Sequence, residues 1–524
     1  MIRKRCLTIS SFLFSIALTH VAFAQQSSSL QQPTSTDSQT PGSYTLQLKA
    51  QAVVLDVVVT NSKGEIVPNL NKDDFQVYED KIPQVIRSLD PPPSHTANPT
   101  PPIHSTADLD RTEPNAPVTL IVLDEINTRF QDEAFARYSL KKFLDKQGNS
   151  LQQPTLLGAV DMQHFTLLHD YTTSKEELLS ALEHHLTNYP WHLEGSSWKA
   201  EQFNASFASL IEIAEATSGH TGHKSLLWVG RGFPPFDPTT LTPQANEGLR
   251  QVIEACTNAM RDARVTLYTL DPAGISIQPE EVDDDGFVDD PIAGMFDFNK
   301  MALATGGHAF FGRNDVDKLI ETSAWDGANF YTLSYTPSNP RTDSQAFHRI
   351  RVVMKNPSLK AETREGYYSG IPPTPPNVSG KQANRQDFDL GVAAQSMLVY
   401  DAVHMSINRV AETPDQFKIS LNSADLAWQE SGSQKLVTKI TVVVESFDKK
   451  GSVVDRSVKI STLQVGESAT SNIPDAATVS LYANIPTKSP ATRVRFLVRD
   501  NATQKIGAIN FALNDNPAAG GGAK

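Results

Sequence analysis

Asp124, Glu125, Asn127 and Thr128 place four oxygen-bearing side chains within five residues. An oxygen-only set of this kind suits a hard divalent cation such as Mg²⁺. A second acidic run extends from Glu281 to Ile292. There Glu281, Asp283, Asp285 and Asp289 fall at positions 1, 3, 5 and 9 of a calcium-loop pattern, with Gly286 at 6 and Val288 at 8, but Ile292 stands where the closing bidentate acid belongs. Acidic loops are soluble without a ligand, so the run reads first as a solvated insertion and second as a Ca²⁺ loop. His184, His185 and His192 have no thiolate or carboxylate at ligand spacing and read as helix-end and loop residues. Cys256, among Val252, Ile253, Ala259 and Met260 at helical spacing, reads as an inert core thiol. HExxH, G-x-S-x-G and P-loop signatures do not occur, so no catalytic residues are assigned.

The elements that must hold these residues follow from composition and periodicity. Arg3, Lys4 and Arg5 precede an apolar run ending in Ala22-Phe23-Ala24, a signal peptide over 1–24 that implies export to the periplasm or beyond. The chain's formal charge of −13 argues against nucleic acid as a partner, and no later stretch has the roughly 18 to 20 apolar residues of a membrane span. Cys256 alone remains after the signal, so the exported chain must be held by core burial without an internal disulfide. Composition marks linkers at 25–43, 91–116 and 370–385, and a flexible tail at 516–524. Residues 44–90 read as a β segment too small to stand alone, completed by strand-like runs in 328–369 into one β-sandwich around an inserted middle region. Its aromatics Phe330, Tyr331, Tyr335, Tyr367 and Tyr368 read as strand packing. The middle region, 117–327, alternates strands with helices and implies a mostly parallel sheet covered on both faces. Residues 386–515 lose the helical period and read as a C-terminal β-sandwich.

Five segments, in order, carry a family resemblance: VVLDVVVTNSKGEIVPNLNKDDFQVYEDKIPQVI at 53–86, VTLIVLDEINT at 118–128, LATGGHAF at 303–310, FYTLSYTPSN at 330–339 and HRIRVVMKNPSLKAETREGYY at 348–368. Over roughly 44–370 the chain resembles exported bacterial proteins related to von Willebrand factor type A (vWA) domains, as described from acidobacteria. The resemblance implies a Rossmann-like, doubly wound α/β vWA domain flanked by all-β sandwiches, with a ligand site at the carboxyl ends of the parallel strands. It also implies an Mg²⁺ or Mn²⁺ site built on an Asp-x-Ser-x-Ser motif, a later threonine and an aspartate after a central strand. Asp124, Asn127 and Thr128 are the metal candidates on this reading, but Ile126 replaces the first serine and Arg231 stands where the later aspartate is expected. The expectation is a degenerate site, closed without metal, in which Asp124 pairs with Arg231 or caps the next helix.

These residues point to an exported, non-enzymatic protein-binding or adhesion protein, with no cofactor or only a Mg²⁺ or Ca²⁺ ion. Glu125, Asn127, Arg129, Arg231, Trp191 and Trp198 are the candidates for contact with another protein or a cell-surface or matrix component. An extracytoplasmic structural or assembly factor acting through its β domains is the alternative, and a hydrolase without a linear motif the third.

Overall fold

Every residue of the strand Val118–Asp124 is buried, as a run without polar alternation requires. Its pleat sends Val118, Leu120 and Val122 into one core and Ile121 and Leu123 into another. Helices Ser196–Ala216, Pro243–Asp262 and Phe298–Thr305 fill the first, and Phe130–Lys146, Lys175–His184 and Val316–Asp326 the second. The strand lies inside a six-stranded sheet of order Ala309–Phe310, Val265–Leu270, Lys224–Val229, Val118–Asp124, Thr155–Val160, Phe165–Thr172. All neighbours are parallel except the last pair, so the chain is mixed α/β, with one largely parallel sheet and several antiparallel ones.

The computed structural model describes residues 52–95, 102–148, 150–162, 165–187, 196–233, 235–274, 296–338, 347–368, 390–411, 413–431, 435–465, 478–485 and 491–513. The signal segment, the linkers 25–43 and 370–385, the tail 516–524, Trp191, His192 and the acidic run 281–292 lie outside the described residues, as does the side chain of Trp198.

Two four-stranded sheets combine chain from either side of the α/β region. One runs Lys360–Glu362, Val53–Thr60, Tyr331–Tyr335, Ile86–Asp90, and the other Gly366–Tyr368, Phe347–Met354, Phe75–Glu79, Ile82–Gln84. Leu55, Val57, Val59, Val77, Tyr331, Leu333 and Tyr335 alternate inward to form the core between them. Against the α/β region, Arg264 donates to Asp56 at 2.6 Å and His308 meets Glu362 at 2.8 Å.

The chain beyond 390 supplies two further antiparallel sheets around a separate core that includes Phe417, Ile419, Val442, Val444, Phe496 and Val498. The opposite face of the larger sheet contributes Val443, Leu497 and Ala508 to the core of the α/β region.

Two expectations are corrected. The stretch 91–116 is not linker throughout: Thr106–Thr112 is a helix whose N-cap, Ser105, accepts a hydrogen bond from the Asp108 amide, and Ile103 and Leu109 are buried in the α/β core. The C-terminal region is not wholly β, because residues 390–395 are helical and bury Leu390, Ala393 and Ala394 against that same core. Short segments escape a period-based reading because fewer than two helical turns show too little of the 3.6-residue repeat.

Where the C-terminal region meets helix Ser196–Ala216, burial pushes the Glu212 carboxyl up to about 7, against the opposing pull of Ser396 and Arg495. The folded chain then keeps a proton that the unfolded chain sheds near pH 4.3, so this group's contribution to stability is full at low pH and falls as pH rises toward 7. Urea unfolding across pH 4.5–8 should show a wild-type loss on the order of 2–3 kcal/mol relative to Glu212→Gln. Parallel pH profiles would disprove it.

Candidate functional site

The strand order reverses direction at Val118–Asp124, which pairs with Thr155–Val160 on one side and Lys224–Val229 on the other. Connections leaving Val118–Asp124 and Lys224–Val229 therefore part at the carboxyl ends of these strands, the place where open α/β sheets form a crevice. Asp124 closes the strand Val118–Asp124 there and is fully buried.

Its carboxylate is consumed by the chain itself. Oδ1 accepts the amides of Ile126 and Asn127, both at 3.0 Å, and Oδ2 accepts the Gly232 amide at 2.8 Å and the Asn127 side-chain nitrogen at 3.2 Å. Burial pushes the carboxyl up, and the donors from Asn127 and Gly232 oppose that shift. Asn127 Nδ2 also reaches Ser206 Oγ at 3.1 Å, and Gln202 donates to the Ile126 carbonyl at 3.2 Å, which ties the loop to helix Ser196–Ala216. Two glycines permit this closeness. A Cβ on Gly230 would lie 2.2 Å from the Asp124 Cβ, and Gly232 has φ +65 with the Phe298 ring 2.3 Å from where its Cβ would stand.

The divalent ion implied by the family resemblance does not fit this arrangement. Both Asp124 oxygens face N–H donors, Ile126 has no side-chain oxygen, and the Thr128 hydroxyl accepts the Arg231 amide at 3.2 Å. Asn127 Oδ1 is left buried without a donor because its nitrogen faces the carboxylate. The expected Asp124–Arg231 pair is also corrected: the Arg231 guanidinium turns to Asp271 at 3.6 Å, at the end of the neighbouring strand. Nor does Asp124 cap the next helix, whose N-cap is Arg129 with no side-chain cap hydrogen bond.

A second buried group braces the rim. His185 Nε2 lies 2.5 Å from Glu125 Oε1, Thr187 donates to Glu133, and Arg137 donates to the carbonyls of Leu182 and His185 at 2.6 and 2.9 Å. Burial pushes the Glu133 carboxyl up. The sequence reading gave His185 no carboxylate partner, because Glu125 lies on another element 60 residues away. Glu125 itself is 5% exposed, which removes it from the surface where a partner contact was expected.

Arg129 is exposed, Arg231 and Asn127 are half-buried, Phe130 is 66% exposed and Leu186 is 86% exposed. Leu186 is held between His185 and Thr187, whose partners Glu125 and Glu133 bracket Phe130 in sequence, so both apolar side chains stand at this rim. The sequence marks the run 127–135 as a place for partner contact through its polar side chains but names neither apolar residue; Phe130 continues the inward stripe of Glu133, Leu140 and Leu144 by one further turn. Cys256 is fully buried beside Met260, and burial pushes its thiol up, as an inert core residue requires.

No family model and no curated protein matches the chain. Among solved structures it is similar to manganese-loaded TRAP protein of Plasmodium vivax, with 10% identity over 48% of this chain and 94% of that one and a TM-score of 0.23. It is similar to the SpRpn10 VWA domain with 14% identity, 31% and 89% coverage and a TM-score of 0.17. A third likeness is to proximal thread matrix protein 1 of the mussel byssus, with 12% identity over 30% of this chain and a TM-score of 0.19; the chain spans 38% of that protein.

Proposed function

We propose that this chain is an exported, non-enzymatic protein-binding or adhesion protein that captures its partner, another protein, through the carboxyl-end rim of the α/β sheet. On this reading the α/β region is a vWA-type domain whose ion position is filled by its own amides. One observation carries it: exposed Phe130, the first residue of helix Phe130–Lys146 after exposed Arg129, and exposed Leu186, on the loop after Lys175–His184, are held from beneath by the Asp124, Glu125 and Glu133 hydrogen bonds. Apolar side chains held outward on a rigid scaffold match the anchors of protein interfaces, where they gain by leaving water and lose little entropy on docking.

The strand Val453–Val465 favours a second reading, a structural or assembly factor. It pairs along one edge with Lys435–Phe447, no described strand pairs with its other edge, and Val458 and Ile460 are 53% and 68% exposed. Such an edge can be extended by another chain's strand.

The test is capture by the full chain from extracytoplasmic extract of the source cells, with partners identified by mass spectrometry. Phe130→Asp combined with Leu186→Asp should cut capture about tenfold or more at unchanged thermal stability. Loss only with Val458→Lys combined with Ile460→Lys would transfer the function to the β edge. Capture unaffected by either pair would refute both readings.

A further inference from the structure

The two halves of the N-terminal sandwich meet at three side chains with the chemistry of metal ligands: Glu79, Asp80 and His348. Glu79 ends the strand Phe75–Glu79, and Asp80 and Lys81 form the tight turn to Ile82–Gln84, both with left-handed backbone, φ 50 and 70. His348 comes from Phe347–Met354, the strand that pairs with Phe75–Glu79. The Asp80 amide donates to the Arg349 carbonyl at 2.9 Å and the Arg349 amide to Asp80 Oδ1 at 3.0 Å, which sets the turn against that strand.

His348 Nδ1 lies 2.9 Å from Asp80 Oδ2 and 3.6 Å from Glu79 Oε1, and the three ligating atoms fall within 4.8 Å of one another. Donors about 2.0–2.2 Å from a tetrahedral zinc ion are themselves about 3.4 Å apart, so small side-chain shifts would seat an ion. Glu79 and His348 are almost fully buried, and the Asp80 side chain is 29% exposed, which leaves an approach from solvent.

The surrounding contacts orient the ligands without filling them. Tyr335 donates to Glu79 Oε2 at 2.6 Å and Tyr367 to Oε1 at 3.1 Å, and the His348 ring stacks on Tyr367 with centroids 5.0 Å apart. Glu79 Oε1 keeps a second lone pair, and Asp80 Oδ2 faces only His348 among the described contacts. Outer hydrogen bonds that fix a ligand's orientation are a regular part of metal sites.

From this geometry we infer that Glu79, Asp80 and His348 form a binding site for a first-row divalent cation, Zn²⁺ or Mn²⁺, that clamps the two separated segments of the sandwich together. Two carboxylates and a neutral imidazole balance the ion's charge in a partly dry site, and one nitrogen with two oxygens selects these metals over Mg²⁺ and Ca²⁺. A neutral imidazole that coordinates through Nδ1 carries its hydrogen on Nε2, so seating the ion replaces the His348–Asp80 hydrogen bond with metal–ligand bonds.

The test uses the full chain stripped with chelator. Calorimetric titration with ZnCl₂ and with MnCl₂ should show one site of equal or tighter affinity for zinc, and a raised melting temperature. Asp80→Asn suits the left-handed turn position and keeps an acceptor for the Arg349 amide, so it should fold normally yet weaken binding tenfold to a hundredfold. His348→Gln should do the same. Absence of heat and of thermal shift with both ions would overturn the site and leave a hydrogen-bonded cluster. Binding unchanged in folded Asp80→Asn and His348→Gln would equally overturn it, because the ion would then sit elsewhere.

Discussion

Asp124→Ala should destabilise the α/β region by about 3–5 kcal/mol, lowering its thermal midpoint by roughly 10 °C. The substitution strands the amides of Ile126, Asn127 and Gly232 in a site that water does not reach, and each buried unpaired donor costs about 1–3 kcal/mol. Some relaxation of the loops offsets part of that sum. Asp124→Asn should be nearly as damaging, because the new amide nitrogen would face N–H donors whichever way it turned. The loss should be the same with and without chelator. If Asp124→Ala instead kept wild-type stability and lost only a binding step that needs divalent ions, the chain-filled site would be wrong and a metal centre restored.

Lys224→Met should cost a comparable amount, about 3–5 kcal/mol, read by chemical denaturation. Lys224 is fully buried at the start of the strand Lys224–Val229, and its ammonium donates to the carbonyls of His220, Gly222 and Ala263 at 2.5, 2.9 and 2.7 Å. Methionine matches the stem and loses all three donors, so the carbonyls are left dry. Burial lowers the Lys224 pKa and raises that of Asp401, whose opposite charge acts against both shifts. Asp401 belongs to the C-terminal region and accepts the Gly219 amide at 2.6 Å, so the pair couples that region to the α/β core. Lys224→Met with Asp401→Asn should therefore be less harmful than the summed single variants, by about 1–3 kcal/mol. A Lys224→Met protein within about 1 kcal/mol of wild type would refute this account.

Both predictions concern polar groups whose partners lie far away in sequence, and there the limit of sequence reading shows. Val118–Leu123 has no polar alternation, so it had to be covered on both faces, and the structure covers it with helices on both faces. The spacing of Ile253, Cys256 and Met260 turned one helix face inward, and all three are fully buried. Periods of two and about 3.6 residues are local properties, and the mixed α/β class follows from them.

Side-chain destinations were decided by the tertiary structure. Arg231 stands where a metal-binding aspartate was expected, but the order of the strands places two acids near it, Asp124 on one side and Asp271 on the other. The Gly232 amide takes the first and the guanidinium the second. Phe130 continues a buried stripe, yet the core ends one turn short of it and leaves it exposed. Asp80 and His348 are 268 residues apart and meet only because their strands pair. Apolar burial is non-directional and can be read from pattern along the chain, whereas a hydrogen bond or ligand set depends on distances of a few tenths of an ångström between strands brought together by folding.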